Sequence, residues 1–476
     1  MKKTTGWDRG LSVVADGKGL VGHAGAILLR KAADQTGLTV ALGAAVRRPG
    51  FSPGWDRGVV LVQIAVSIVL GGTALADLAV LAHQAALFGE PASDSTARRV
   101  LLDVCDDKTL RTIAKARARV RAHVWSLIKA RPGGFPWLNI AGKLLTGWIV
   151  IDLDATLITA HSAKQGAAAT FKQGWGFHPL GSWCANTQER LSMLLRPGNA
   201  GSNTVADHLT VLTQAIAQIP AAYRAKILIR IDGAGATHDL IEHISGLNTR
   251  RRTVRFTVGF AITDVEESAI KILPERAWQT AWRQNGSLHQ GYEVAELTGL
   301  DTRAEAWLPG LRLIARRTKP SRRHLKNLTD YEKTSGWRYS VTATDIHRLG
   351  TLPGTHHIQF LDVLHRSHAT VEDRVRTGKA MGLRNLPSKT WNVNVGWVLA
   401  ASIATDLDAW TRLLGLYDHD NLALAEPETM RHTIYHLPAK LTRHARRRRL
   451  HLAGDWPWRE AFTTCWTRLN TLPAPA

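Results

Sequence analysis

"TGWIVIDLDATLITAH", residues 146–161, decides the fold. The stretch is short, apolar and β-branched, the composition of a strand buried inside a sheet. It nevertheless carries two carboxylates, Asp152 and Asp154. Spaced by two, they point to one face of the strand. Charge on a buried strand is costly unless something compensates it. "AKILIRIDGAGA" (225–236) repeats the pattern, an apolar strand that runs out into Asp232. Between the two, "SNTVADHLTVLTQAIAQI" (202–219) reads as a helix with Ser202 or Asn203 near its cap. Strands separated by a helix of this kind belong to an α/β fold.

A third acid lies in "HRSHATVEDRVRTGK" (365–379). Wound as a helix, it places His365, His368, Glu372, Arg376 and Lys379 on one face, because the steps between them are three or four residues. One reading is a solvated face with an ion pair or two. The other is a cationic stripe that faces phosphates while Glu372 holds a metal. Each strand-end Asp, taken alone, is explained by capping a following turn. Taken together, Asp152 or Asp154, Asp232 and Glu372 suit hard cations bound through oxygen. Mg2+ takes a few carboxylates, water and substrate phosphate oxygens. Two such ions, roughly 3.5–4 Å apart, serve both oxygens of a phosphodiester displacement.

Composition agrees with a phosphate partner. The 476 residues include 61 Lys plus Arg against 39 Asp plus Glu, a formal charge of +22. A basic excess spread through the chain is the footprint of nucleic acid, with an anionic membrane surface as the second candidate. With 45% of residues hydrophobic, the length allows two to four domains and an ample core. Cys105, Cys184 and Cys465 form no CxxC pair, which excludes a zinc ribbon or a disulfide framework and fits a reducing cytoplasm. "MKKTTGWDRG" has no apolar run behind it, so no signal peptide is expected. "GVVLVQIAVSIVLGGTALADLAVLAH" (58–83) is interrupted by Gln63, Gly71, Gly72 and Asp77. Its unbroken apolar run falls short of the ~20 residues of a membrane span. It reads as a buried helix followed by a second one.

Residues 1–145 read as a helical, DNA-binding region. "SDSTARRVLLDV" (93–104) opens on N-cap chemistry, and "DDKTLRTIAKARARVRAHVWSLIKA" (106–130) is a long basic amphipathic helix carrying Arg111, Lys115, Arg117, Arg119 and Arg121. A groove-binding helix and an ordinary solvated one both fit it. Residues 249–350 are β-rich ("TVRFTVGFAIT", "WRYSVTAT") and hold Trp278, Trp282, Trp307 and Trp337. "HHIQFLDVLHRSHATVEDRVRTGK" is expected to bring a short strand and then the Glu372 helix, and "NVNVGWVLAASIATDLDAWTRLLGL" (392–416) a long apolar helix. The last region, 417–476, includes the basic run "RHARRRR" (443–449), read either as a disordered solubilising segment or as a phosphate contact.

Several ordered blocks resemble a known family. "IDLDAT" (151–156), "GWGFHPL" (174–180), "LRPGNAGSN" (195–203), "IRIDGAG" (229–235), "HRSHATVEDRVRTGK" and "GLRNLP" (382–387) are similar to bacterial insertion-sequence DDE transposases, specifically the thirteen-eighty insertion-sequence family. The resemblance spans nearly the whole chain. It implies an RNase H-like mixed-sheet catalytic domain in two parts, 146–248 and 351–416, interrupted by a β-rich insertion at 249–350. A helical N-terminal domain and a basic C-terminal region would flank it. It also implies a catalytic, metal-binding triad of Asp154, Asp232 and Glu372, with two Mg2+ or Mn2+ ions. Asp154 is favoured over Asp152 because Thr156 follows it by two, as in the relatives; Asp152 stays as an additional acid. The broader relatives carry Tyr-x-x-Arg-x-x-x-Glu-x-x-x-x-x-x-Lys on the last helix. Here Glu372 and Lys379 keep that spacing, while His365 and His368 replace Tyr and Arg.

What the resemblance implies is an enzyme that cuts at the terminal inverted repeats of its own element and joins 3′-OH ends to target DNA. It would act as a homodimer on double-stranded DNA, in the cytoplasm at the nucleoid and without a membrane. His365, His368, Arg376 and Lys379 are the expected DNA contacts. One of the four tryptophans is expected to stack on a flipped base beside the acids. A metal-dependent nuclease or resolvase that cleaves without joining is the alternative, and a non-catalytic DNA-binding protein is a third.

Overall fold

The computed structural model describes residues 12–475 apart from residues 13, 51 and 323, and at Ala234 the backbone only. The N-terminal "MKKTTGWDRG" lies outside the described residues. A nine-stranded mixed sheet organises the chain. Its strands are β1 (Ile149–Ala155), β2 (Leu180–Cys184), β3 (Arg190–Leu194), β4 (Lys226–Ile231), β5 (Thr253–Phe260), β6 (Gln279–Trp282), β7 (Leu288–Glu296), β8 (Arg312–Thr318) and β9 (Arg338–Thr344). Across the sheet they run β6-β7-β8-β9-β5-β4-β1-β2-β3. Strands β1, β4 and β5 lie parallel at the centre, and an antiparallel meander β1-β2-β3 completes one side. Central parallel strands are covered on both faces, which explains why the two sequence runs are almost wholly apolar.

The β-rich segment 249–350 does not form a sheet of its own. Strands β6 to β9 hydrogen-bond edge to edge onto β5 and extend the central sheet, with Phe260 opposite Val341 and Thr344 opposite Arg312. An exposed β5 edge would present a row of unpaired backbone groups, and the added strands cover it.

The N-terminal region is helical as expected, but it shares the core of the sheet. Helix α1 (Arg57–Val69) is buried along nearly its whole length. Ser93 caps α2 (Asp94–Asp103) through its hydroxyl, which accepts from the Thr96 amide. Helix α3 (Asp107–Ala130) is the long basic one, and α4 (Val205–Gln218) starts after Thr204, one residue later than the expected cap. Helix α5 (His238–Gly246) follows β4. "HHIQFLDVL" is helical rather than a strand: α6 (Ile358–Arg366) lays Phe360, Leu361, Val363 and Leu364 on the sheet. Those apolar positions recur at helical spacing, which outweighs the β-branched composition of so short a run. A single 3-10 turn at Ser367–Ala369 joins α6 to α7 (Thr370–Gly378), so the expected single helix is wound more tightly between His365 and Glu372. After α7 the chain turns at Gly382, whose φ of +86° suits glycine and whose carbonyl accepts from Trp397 Nε1 at 2.7 Å. Helix α8 (Trp391–Gly415) then runs through the core.

The basic tail is ordered. β10 (Ala439–His444) and β11 (Arg447–Leu452) form a hairpin whose turn residues Ala445 and Arg446 both have positive φ, and β10 also pairs with the short strand Leu20–Val21. Positive φ at both turn positions is what a tight hairpin needs. Among the described residues no helix is long and apolar enough to cross a membrane. The three cysteines are free.

Candidate acidic active site

The register of the parallel pair sets the site. Leu228 lies opposite Val150 and Arg230 opposite Asp152, so Asp232 follows β4 where Asp154 ends β1. Both acids fall on the face covered by α6 and α7. That is the carboxyl end of parallel strands, where open α/β sheets place their ligands. Strand β5 presses on Asp232 from the other side. A Cβ on Gly259 would stand 2.5 Å from the Gly233 amide nitrogen and 3.2 Å from the Asp232 carbonyl carbon, so a side chain there would push Asp232 away.

Asp152 and Asp154, two residues apart, have opposite fates. Asp152 is buried and takes a two-pronged ion pair from Arg230, Nε to Oδ1 at 2.7 Å and Nη2 to Oδ2 at 2.8 Å. His368 Nδ1 adds a third hydrogen bond at 3.1 Å. Burial would raise this carboxyl, but Arg230 and His368 outweigh it and hold it down at about 2. Asp154 makes no ion pair among the described residues, and neither does Asp232 or Glu372. Burial raises the Asp154 carboxyl to about 6, with the negative charges of Asp232 and Glu372 adding to the rise. The three acids are therefore electrostatic neighbours without an ion pair among the described residues, and His368 opposes the rise at Asp154 only in part.

That is the condition in which a divalent ion fits: an all-oxygen donor set carrying charge the protein does not neutralise. The acids do not make a closed cage. Among the described residues no three His, Cys, Asp or Glu side chains are already spaced to hold an ion. Mg2+ requires no such cage, since it keeps waters and completes its shell with substrate phosphate.

The expected cationic stripe divides. Lys379 is half-buried beside the acids; desolvation and nearby Lys172 lower its pKa, and Asp154 opposes them. Arg376 is turned to acids instead, 2.6 Å from Asp373 and 2.8 Å from Glu426. His365 hydrogen-bonds Thr257 Oγ1 at 3.2 Å, and burial, then His368 and Arg230, push its pKa down to about 3, so it is neutral. His368 is buried on Asp152, with Nε2 unpartnered. The two imidazoles that replace Tyr and Arg thus face the protein interior rather than solvent phosphate.

The basic helix α3 is corrected in the same way. Arg117 and Arg121 do not lie on its surface. Arg121 bonds Glu189 at 2.7 Å and Asp406 at 2.7 Å, and Arg117 bonds Asp406 at 2.7 Å, all buried. Arg111, Lys115 and Arg119 remain exposed. None of the four tryptophans is exposed outright. Trp278 and Trp337 sandwich the Arg317 guanidinium, 4.4 and 4.5 Å from its centre. Trp307 packs on Phe260, and Trp282 lies near His357.

Sequence reasoning missed Arg230, which neutralises Asp152, and Arg190. Arg190 is fully buried against α7 with none of its guanidinium nitrogens bonded. The basic residue inside "ILIRID" was a usable signal for the first, since an arginine in an apolar strand needs a buried acid. Nothing in "ERLSM" signals the second.

A mixed sheet with unpaired acids at the carboxyl ends of its central strands defines a class of phosphate-handling α/β proteins. The chain belongs to the Transposase DDE domain group 1 family, whose model matches residues 3–474. A solved piggyBac transposase, in a synaptic complex with hairpin DNA, is similar at 10% sequence identity and a TM-score of 0.40, over 87% of this chain and 78% of that chain. No curated protein matches at a significant level.

Proposed function

We propose that this transposase cuts DNA at the ends of a mobile element and joins the freed 3′-OH ends to target DNA, with Asp154, Asp232 and Glu372 as its catalytic acids. The observation that carries this reading is the contrast on β1: Asp152 is locked by Arg230 and His368, while Asp154 shares uncompensated charge with Asp232 and Glu372. The three would hold two Mg2+ or Mn2+ ions, which when bound activate the attacking oxygen and stabilise the leaving one. Lys379, which forms no ion pair among the described residues and stands near Asp154, binds a phosphate oxygen next to the scissile bond. Arg230 and His368 position Asp152, and through it the end of β1, and do not touch DNA. Asp152 is accordingly a positioning acid.

The order β3-β2-β1-β4-β5, a meander continued by parallel strands, supports an RNase H-like catalytic domain. The sequence blocks support membership of the thirteen-eighty insertion-sequence family of bacteria, with terminal inverted repeats as the DNA bound and a homodimer as the acting form. Exposed Arg111, Lys115 and Arg119 on α3 offer phosphate contacts.

The test uses the full chain with Mg2+ or Mn2+ and DNA carrying the element ends plus a target plasmid. Cleaved and joined products are expected, and Asp154→Asn, Asp232→Asn and Glu372→Gln should each abolish both. Cleavage without joining across several divalent ions would replace the proposal by the nuclease reading. Full activity in all three variants would overturn the catalytic assignment.

A further inference from the structure

Immediately after Asp154 the chain leaves the main sheet and builds a small one from Ile158–Thr159, Ala168–Ala169 and Trp175–Phe177. Its base is fastened to the segment that follows the Glu372 helix. The Gln165 amide donates to the Lys389 carbonyl at 2.9 Å, and the Trp391 amide donates to Gln165 Oε1 at 3.0 Å. Lys164 Nζ reaches Asn385 Oδ1 at 3.0 Å and the Leu386 carbonyl. Gly198 packs so tightly that a Cβ would come 2.3 Å from the carbonyls of Ala168 and Gly176.

The tip is built differently. Thr170 and Gly174 close it, the Thr170 amide donating to the Gly174 carbonyl at 2.8 Å, with Gln173 at a φ of +58°. On it Phe171 is 67% exposed and Trp175 49% exposed. Among the described residues no other Phe, Trp or Tyr is exposed. A chain that tucks away the rest of its described aromatic rings leaves two in water on one rigidly based tip. Lys172 lies between them in sequence, its ammonium 5.6 Å from the Phe171 ring centre and within electrostatic range of Lys379. His178 packs against one part of the Phe171 ring at 5.4 Å between centres, and the rest of the ring is in water. Exposed aromatic rings beside cations are the chemistry that holds single-stranded nucleic acid: rings take bases and ammonium groups take phosphates.

We propose that the 170–175 tip is a stacking platform for an unpaired nucleotide at the DNA end, with Phe171 and Trp175 taking the base and Lys172 with Lys379 the adjoining phosphate. This transfers the base-holding role from the four tryptophans of residues 249–350, which are engaged within the protein, to a different element. It rests on the reading that the neighbouring acids act on DNA.

The test uses the full chain without divalent ions. The probes are a blunt mixed-sequence duplex and the same duplex with a short single-stranded overhang containing 2-aminopurine. The overhang should bind about tenfold tighter than the blunt end, in keeping with stacking on an aromatic face, and its fluorescence should be quenched. Phe171→Ala combined with Trp175→Ala should bring the affinity ratio close to one and abolish the quench, while Trp175→Phe should keep most of both. A double variant that retains ratio and quench overturns the platform and leaves the tip as a protein-contact surface. Ion-dependent cleavage by wild type and Asp154→Asn, measured in parallel, separates the two proposals. A wild type that stacks the base but cuts nothing keeps the platform and overturns the parent reading. A wild type that cuts, with a double variant that still stacks, overturns the platform alone.

Discussion

Two groups of charged side chains are built on opposite principles. At the β2–β3 turn, Arg121, Glu189, Asp406 and Arg117 close a buried network. Glu189 also accepts from the indoles of Trp125 and Trp410, each at 2.7 Å, so its charge is fully engaged. At the strand ends, Asp154, Asp232 and Glu372 form no ion pair among the described residues, and burial of Asp154, then the charges of Asp232 and Glu372, raise its carboxyl. Burying charge is tolerable only when it is paired and hydrogen-bonded. The first group meets that condition and ties α3, the β2–β3 turn and α8 into one body. The second is left open: Asp232 and Glu372 are exposed and Asp154 is half-buried, so water or an external cation can reach all three. Asp152 belongs to the first kind although it stands two residues from Asp154.

The largest expected effect separates the two groups by what each one supports. Asp154→Asn should cut ion-dependent DNA cleavage by roughly 10²–10³-fold or more, yet raise the melting temperature measured without divalent ions, since it relieves repulsion. A fall in melting temperature would place Asp154 with the structural acids.

Glu189→Ala should behave in reverse. It leaves Arg121 buried with one of its two acid partners removed, a change that costs about 3–5 kcal/mol. Urea unfolding of the full chain would measure it, and a destabilisation below about 1 kcal/mol would contradict the network's structural role.

A smaller effect concerns pH. His365 has a folded pKa of about 3 against an ordinary 6.5, so the unfolded chain binds a proton that the folded one refuses. The His365 contribution is therefore fully present above 6.5 and is lost as pH falls from there toward 3. The urea midpoint of His365→Asn should fall less steeply than wild type across that window. Equal slopes would mean that the imidazole is not held neutral by the fold.

The smallest effect lies on the β10–β11 hairpin. Replacing Arg447 and Arg449 by Ser should weaken binding to all DNA alike and flatten the salt dependence by about 0.9 for each phosphate no longer neutralised. An unchanged slope would reduce the hairpin to a structural cover for the strand Leu20–Val21.

The central strands were legible because burial on both faces writes a near-continuous apolar run, and an acid inside such a run stands out. Glu372 was legible from its spacing to Lys379. The inward placement of His365 and His368 was not, because a helical wheel assumes uniform α-helical winding and does not say which face α6 seats on the sheet, while residues 367–369 form a tighter 3-10 turn. Arg117 and Arg121 read as surface charge because their acids, Glu189 and Asp406, lie far along the chain. The edge-to-edge addition of β6 to β9 was hidden for a related reason: strand composition does not say which strand is the neighbour. Phe171 and Trp175 carried no warning either, since exposure of an aromatic ring is decided by where its loop projects.

The spacing of the acids along the chain has a bearing on timing during synthesis. Asp154 and Asp232 can come together once β4 has paired with β1, but Glu372 arrives only after strands β5 to β9 have been made and α7 has folded over them. A nascent or prematurely terminated chain that stops before α7 lacks the third acid and the lysine beside it. On the proposed catalytic assignment, cutting requires a chain translated through Lys379, and abortive translation yields products without the full set of acids.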